Sequence, residues 1–429
     1  MFALRRFSTL LPSLVLVTPG LLAQTQATVA PATEKEQAVA IGDLVNELIK
    51  NNPDIRAAQY RVDAAMKRPS QMSTLPEPKL TATNFGVGHP FSRLPDSNFA
   101  YYSFGFSQEI PYPGKLTLAG EEARKEAESE REMYRTIVLD KISQLKVAYY
   151  EWYGIVKAID ITTKNRELLE RLERIARARY SVGKGIQQDV LKAQVEQSTL
   201  AQQLEVLGQR KATVEARIRS LIVSERPLTR PSGVQLSPLS VTLDEILAAL
   251  DRQAPRLKAR QAILDSRAVN IERSKKEYRP DFGVSVQWQK TGAPFPDYYM
   301  ATAEVKIPLY FWRKQRLGVE ESVARFREAR QNYHSERQEL MFQVKDYFFT
   351  AKTSERLLEL YRSGIIPQSS LSLESAMAGY EVGSVDFLTL MNNFMTLLSY
   401  EMQYYDELSK HGQAIARLEA LVDTPLGRP

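Results

Sequence analysis

Two kinds of hydrophobic pattern run along this chain, and each occurs twice. Phe282, Val284, Val286 and Trp288 alternate with Gly283, Ser285, Gln287 and Gln289, and Tyr102, Phe104 and Phe106 alternate with Ser103, Gly105 and Ser107. A period of two predicts strands with one apolar face and one small or polar face. Weaker patterns over Leu80 to Val87 and Tyr299 to Ile307 supply each with a partner across a turn-rich loop, so each half holds one β-hairpin. Beyond each hairpin the period changes. Val138, Ile142, Leu145, Tyr149, Trp152, Val156 and Ile159 step by fours and threes, and Leu340, Val344, Tyr347, Ala351, Ser354, Leu358 and Tyr361 repeat the step. Such heptads predict coiled-coil packing. The runs extend from about Leu116 to Val182 and from about Leu317 to Val382, on the order of 100 Å each at a helical rise of about 1.5 Å per residue. Turns at Val182-Gly183-Lys184-Gly185 and Val382-Gly383-Ser384-Val385 then send the chain back along a second helix. In the first half Leu200, Leu204, Leu207, Val214, Ile218 and Leu221 keep the seam, with Lys211 interrupting it.

Ahead of each hairpin the pattern predicts a short helix, N-capped by Asp43 or Thr242, with Leu44 and Leu48 or Ile246 and Leu250 on its apolar face. A longer helix follows and ends near Pro76 or Pro280. The landmarks recur in register. Asn51-Asn52-Pro53-Asp54-Ile55-Arg56-Ala57 returns as Gln253-Ala254-Pro255-Arg256-Leu257-Lys258-Ala259, Ile110-Pro111 as Ile307-Pro308, and Tyr180-Ser181-Val182-Gly183 as Tyr380-Glu381-Val382-Gly383. A large unit has been duplicated. The reading is a first repeat over 28–223, a proline-rich linker over 224–240 containing Pro227, Pro231 and Pro238, a second repeat over 241–421, and a tail over 422–429. The fold class is mainly α with a β-hairpin in each half. Strands apolar on one face and polar on the other suit a membrane barrel, and they equally suit a small soluble sheet half-buried on a helix. Four strands cannot close a barrel with a lumen, so a barrel would need several chains.

Composition narrows the chemistry. The 429 residues include no cysteine, which excludes disulfides, thiolate metal sites and cysteine nucleophiles. The net charge of +6 comes without a basic run interleaved with aromatics, so nucleic acid is not an expected partner. Arg5-Arg6, the apolar stretch Phe7 to Leu22, and Ala23 and Ala27 read as an export signal over 1–27; the other reading is a short membrane anchor. No nucleophile–base pair or phosphate-cradling loop emerges. His89, His334 and His411 are isolated. Met391, Met395 and Met402 form a helical stripe that suits a coiled-coil core better than a soft-metal site. No catalytic, cofactor or metal site is expected.

The order of signals resembles the TolC family of bacterial outer-membrane efflux proteins over roughly Ile41 to Leu421. Leu75-Pro76-Glu77-Pro78, Ile110-Pro111-Tyr112-Pro113-Gly114-Lys115-Leu116 and Val385-Asp386-Phe387-Leu388-Thr389-Leu390 look most like the branch that works with heavy-metal pumps. The resemblance implies a homotrimer in outer-membrane lipid whose chains each give four strands to a twelve-stranded barrel, continued into the periplasm by a helical tunnel. It implies a passive conduit for metal cations or drugs, fed by an inner-membrane pump through a periplasmic adaptor that meets Val182, Gly183, Val382 and Gly383 at the tips. The alternative from another class is the adaptor itself, which resembles this chain in carrying a long helical hairpin. The family's gate latch maps onto Tyr380 and Asp189. Its basic partner is replaced by Val385, its acidic ring by Thr389 and Asn392, and Asp386 offers charge one turn away. Plain N-capping is the other reading of Asp189 and Asp386.

Overall fold

The computed structural model describes residues 38–86, 100–292 and 294–426. The export signal expected over 1–27 and the first hairpin loop, with His89, lie outside these described residues. The chain enters α1 (Ile41–Asn51), and Asn52 both ends it and starts α2 (Pro53–Ala65): its side chain accepts from the amides of Asp54 and Ile55, while Pro53 takes the first helical position. The second half repeats this in α6 (Leu243–Gln253) and α7 (Pro255–Lys276), with Thr242 and Glu245 forming a capping box. Asp43 does not cap. Ala40 holds that position and Asp43 lies in the first turn of α1, where its charge still suits the helix dipole. The predicted longer helix is continuous only in the second half. In the first it stops at Ala65 and resumes as α3 (Arg68–Ser73), with Pro69 in the opening turn, where a missing amide costs no intrahelical bond.

Strands β1 (Lys79–Phe85), β2 (Tyr101–Ile110), β3 (Asp281–Thr291) and β4 (Tyr298–Lys306) form one antiparallel sheet in the order β1-β2-β3-β4. The pairing Ala82↔Phe104↔Trp288↔Tyr299 and Leu80↔Phe106↔Val286↔Ala301 puts most of the apolar residues of the four strands on one face, with Phe85, Tyr101 and Met300 on the other. Along β3 that face is the exposed one: Phe282, Val284, Val286 and Trp288 are exposed, whereas Gly283, Ser285, Gln287 and Gln289 between them are half-covered. A sheet half-buried on a helix would show the opposite arrangement.

From the base of the sheet rise α4 (Lys115–Ser181), with α5 (Gln187–Ile222) returning beside it, and α8 (Lys314–Leu360), which leads to α9 (Ile366–Val382) and the returning α10 (Phe387–Val422). The expected second run is not one uniform helix, because Tyr361–Ile365 forms a π-helical turn just ahead of Pro367. Proline lacks the amide for the i−4 bond and its ring crowds the carbonyl there, which a widened turn accommodates. The heptad seams are the cores. Leu145, Tyr149, Trp152 and Val156 pack with Leu44, Leu48 and Ile218, and the second half echoes this with Leu340, Val344, Ile246, Leu250 and Leu418. A third cluster joins the far ends of both hairpins through Leu169, Leu172, Leu200, Leu373, Leu390 and Phe394, and it includes Met391 with Met395 and Met402 packed against it. The proline-rich linker is a packed strap. Val39 bridges to Pro231, the Tyr149 hydroxyl donates to Val39 O at 2.9 Å, and Leu228 and Leu239 are buried in the two half-cores. Among the described residues no helix is long and apolar enough to cross a membrane.

Candidate functional site

The two helical turns lie at the ends of the hairpins remote from the sheet and are built alike. In the first, Gly183 has φ +72°, its amide bonds Tyr180 O and the Lys184 amide bonds Arg179 O at 2.9 Å. In the second, Gly383 has φ +86°, its amide bonds Tyr380 O and the Ser384 amide bonds Gly379 O at 2.9 Å. The bond reaching back five residues and the left-handed glycine define a Schellman end, which is why both turns read Val-Gly. Val182 and Val382 stand well exposed beside these glycines.

The side chains break the symmetry. Tyr380 is 3% exposed, while its counterpart Tyr180 is 47% exposed. The Tyr380 ring lies between Phe387, at 5.4 Å between centroids, and the Arg179 guanidinium, 4.7 Å from the ring centre. Its hydroxyl donates to Asp189 Oδ2 at 3.4 Å. The structure thus brings Tyr380 and Asp189 together across the two hairpins. Asp189 is no N-cap: Ile186 holds that position in α5. Asp386, by contrast, is the N-cap of α10 and accepts from the Thr389 amide at 3.2 Å; it does not touch the pair. Burial raises the Asp189 pKa above the usual carboxylate value, the Tyr380 hydroxyl and Arg179 work against that rise, and Asp386 adds to it. Burial, then the Asp189 charge, pushes Tyr380 up to about 12, so the phenol keeps its proton and remains the donor.

Arg179 is the residue that sequence reasoning missed. It donates to Tyr380 O and, at 3.2 Å each, to Glu381 O and Lys184 O. The repeat alignment carried the signal. Arg179 corresponds to Gly379 and Gly185 to Val385, so each turn pairs one large with one small residue in opposite order. A Cβ on Gly379 would come within 2.5 Å of Val385, and one on Gly185 within 3.2 Å of Arg179. Arg179 thus brings a guanidinium from the first hairpin to the second turn, where Val385 is apolar. Thr389 and Asn392 are exposed on α10 without charge, and among the described residues no cluster of histidines and carboxylates could hold a metal ion.

A family profile described as outer membrane efflux protein matches residues 44–222 and 247–423, one segment in each repeat. A search of curated proteins gives no match. Among solved structures the chain is similar to CusC, described for conformational changes accompanying folding and transmembrane channel formation, with 14% identity, a TM-score of 0.77, and 89% of this chain and 91% of that one covered. It is also similar to the outer membrane protein VceC from Vibrio cholerae, with 14% identity, a TM-score of 0.77 and coverage of 90% and 96%. The open state of the Neisseria gonorrhoeae MtrE outer membrane channel gives 16% identity, a TM-score of 0.76 and coverage of 90% of each chain. At these identities the likeness is one of fold.

Proposed function

The chain belongs to the outer membrane efflux protein family, and from that premise we propose how its parts serve an efflux conduit. The protein is the outer-membrane channel component of a tripartite efflux system, a passive conduit rather than an enzyme. The observation that carries the assembly we propose is the sheet: along β3 its apolar face is exposed and its polar face half-covered, with β1 and β4 left as open edges. Unpaired edges do not survive in lipid. Three copies, each pairing β4 with β1 of the next, close a twelve-stranded barrel with the polar face around the lumen. The helices follow suit. Leu191 and Val195 on α5, and Phe342, Phe349 and Leu371 on α8 and α9, are exposed in the single chain and become contacts between copies in the tunnel. An adaptor with a single helical hairpin is the weaker reading for a chain with two hairpins and this sheet.

In this reading an inner-membrane pump supplies energy and selects the cargo, metal cations or drugs. A periplasmic adaptor engages Val182, Gly183, Val382 and Gly383, and the Tyr380–Asp189 contact helps hold the tunnel shut. A hydrogen bond of this kind contributes on the order of 1 kcal/mol net, repeated in each copy. Single-channel conductance in planar bilayers tests it. Asp189→Ala and Tyr380→Phe each raise conductance, and the double variant gains little beyond either single one; unchanged conductance in all three contradicts the latch.

The gate should also respond to pH. The Asp189 pKa is raised in the closed form, so opening, which returns the carboxylate to water, lowers it. A group of this kind favours the closed state fully below its ordinary pKa, near 3.8, and loses that effect as pH rises through the raised value. Open probability should therefore rise as pH climbs from the ordinary carboxylate pKa through the raised one and level off above it, and Asp189→Asn should abolish the dependence. The cap made by Asp386, whose pKa is lowered by its bonds to Thr389, titrates below that window. A wild-type channel flat across the range contradicts the assignment.

A further inference from the structure

We propose that Arg179 is the cation of the latch: from the first hairpin it grips the end of α9, so that Tyr380 can leave its closed position only by withdrawing from Arg179 and Asp189 together. The inference rests on the reading of the turns as periplasmic tips and of Tyr380 with Asp189 as a gate.

Three observations converge on Tyr380. Its backbone carbonyl and that of Glu381 accept from the Arg179 guanidinium, its ring lies 4.7 Å from that guanidinium, and its hydroxyl reaches Asp189 at 3.4 Å. Arg179 belongs to α4 and Asp189 to α5, so the first hairpin holds one residue of the second through backbone, ring and hydroxyl. The carbonyls it binds are among the last of α9, where the helix dipole concentrates negative charge. The third acceptor is Lys184 O in Arg179's own turn, at 3.2 Å, which fixes the planar fork relative to the first tip. The Arg179 Nε is buried without a hydrogen-bond partner: the fork's terminal nitrogens are committed to carbonyls of both turns, and that orientation leaves Nε unpaired. Lysine, a single point charge on a flexible stem, cannot span the same set while stacking on the ring.

This grip differs from the hydroxyl contact in what removes it. Tyr380→Phe deletes one bond and leaves the carbonyls and the ring, so Arg179 still holds. Arg179→Gln deletes the charged bonds and the stacking together. Charge-assisted hydrogen bonds are stronger than neutral ones, so losing Arg179 should shift the closed-to-open ratio by at least about ten-fold, more than Tyr380→Phe or Asp189→Ala alone. Adding Val385→Arg, which returns a cation to the second turn, should recover part of the closed state.

The test compares single-channel conductance of wild type, Arg179→Gln, Arg179→Lys, Tyr380→Phe and Arg177→Gln. Arg177 pairs with Glu173 four residues back on its own helix, so its variant controls for loss of a nearby positive charge. Because the chain has no cysteine, Val382→Cys carries a spin label in each background, and distances between copies report the tips. The expected result is open-shifted conductance and longer, broader distances for both Arg179 variants, the glutamine variant exceeding Tyr380→Phe, with Arg177→Gln like wild type. A conducting wild type with unchanged Arg179 variants overturns the inference and leaves the conduit reading standing. A wild type that does not conduct overturns the conduit reading and the inference with it. Should Arg179→Gln fail to assemble, Arg179→Lys is judged by the same criteria.

Discussion

Val286→Lys abolishes recovery of the assembled protein from the outer membrane, whereas Ser285→Lys, at the neighbouring position, leaves it intact. Val286 is 55% exposed in the single chain and shares its face with Phe106 and Ala301 across the register. By the rules for water-soluble proteins, lysine there would be harmless. In a lipid-facing strand the same change costs about 2–4 kcal/mol near the bilayer centre, and a trimer incurs it three times. Ser285 pairs with Ser107 and Thr302 on the other face, where an ammonium group reaches the water of the lumen. Outer-membrane fractionation with heated and unheated gels checks the pair. Equal tolerance of both substitutions contradicts the orientation of the sheet.

The second large effect lies at the tips. Gly383→Val abolishes efflux while the protein still assembles and inserts, and Gly183→Asn retains efflux. Both glycines are left-handed, but a Cβ on Gly383 would meet the Arg179 guanidinium at 3.2 Å, whereas Gly183 has nothing within 4 Å. A β-branched residue in that conformation costs about 1–2 kcal/mol and also displaces the clamp, on a surface proposed to meet the adaptor. Asparagine adopts the left-handed region readily and has open space at Gly183. Accumulation of a fluorescent pump substrate in cells, read beside outer-membrane levels of each variant, makes the comparison. Full efflux by Gly383→Val would place docking elsewhere.

What the sequence revealed tracks what the environment demands. β2 and β3 were legible because each face meets one medium throughout its length, and the two turns because only glycine fits their left-handed ends. β1 was faint: Leu80, Thr81, Ala82 and Thr83 alternate, but Asn84 then falls on the apolar face and Phe85 on the polar one, so the alternation lasts only four residues. The break at Met66-Lys67 and the π-helical turn at Tyr361–Ile365 follow from Pro69 and Pro367, whose consequences depend on what lies across the helix. Asp43 shows how little separates a cap from a first-turn carboxylate, three positions apart and favoured by the same dipole. Tyr380 and Asp189 could be placed by resemblance. Arg179 could not, because its role depends on a large-for-small exchange with Gly379, Gly185 and Val385 that becomes visible only once the two turns are superimposed.

If one chain supplies a third of a closed outer-membrane conduit, native mass spectrometry of the detergent-extracted protein will show it. The expected result is a single species of three chains, released from the outer-membrane fraction and dissociating only when heated. A monodisperse, water-soluble single chain would contradict it.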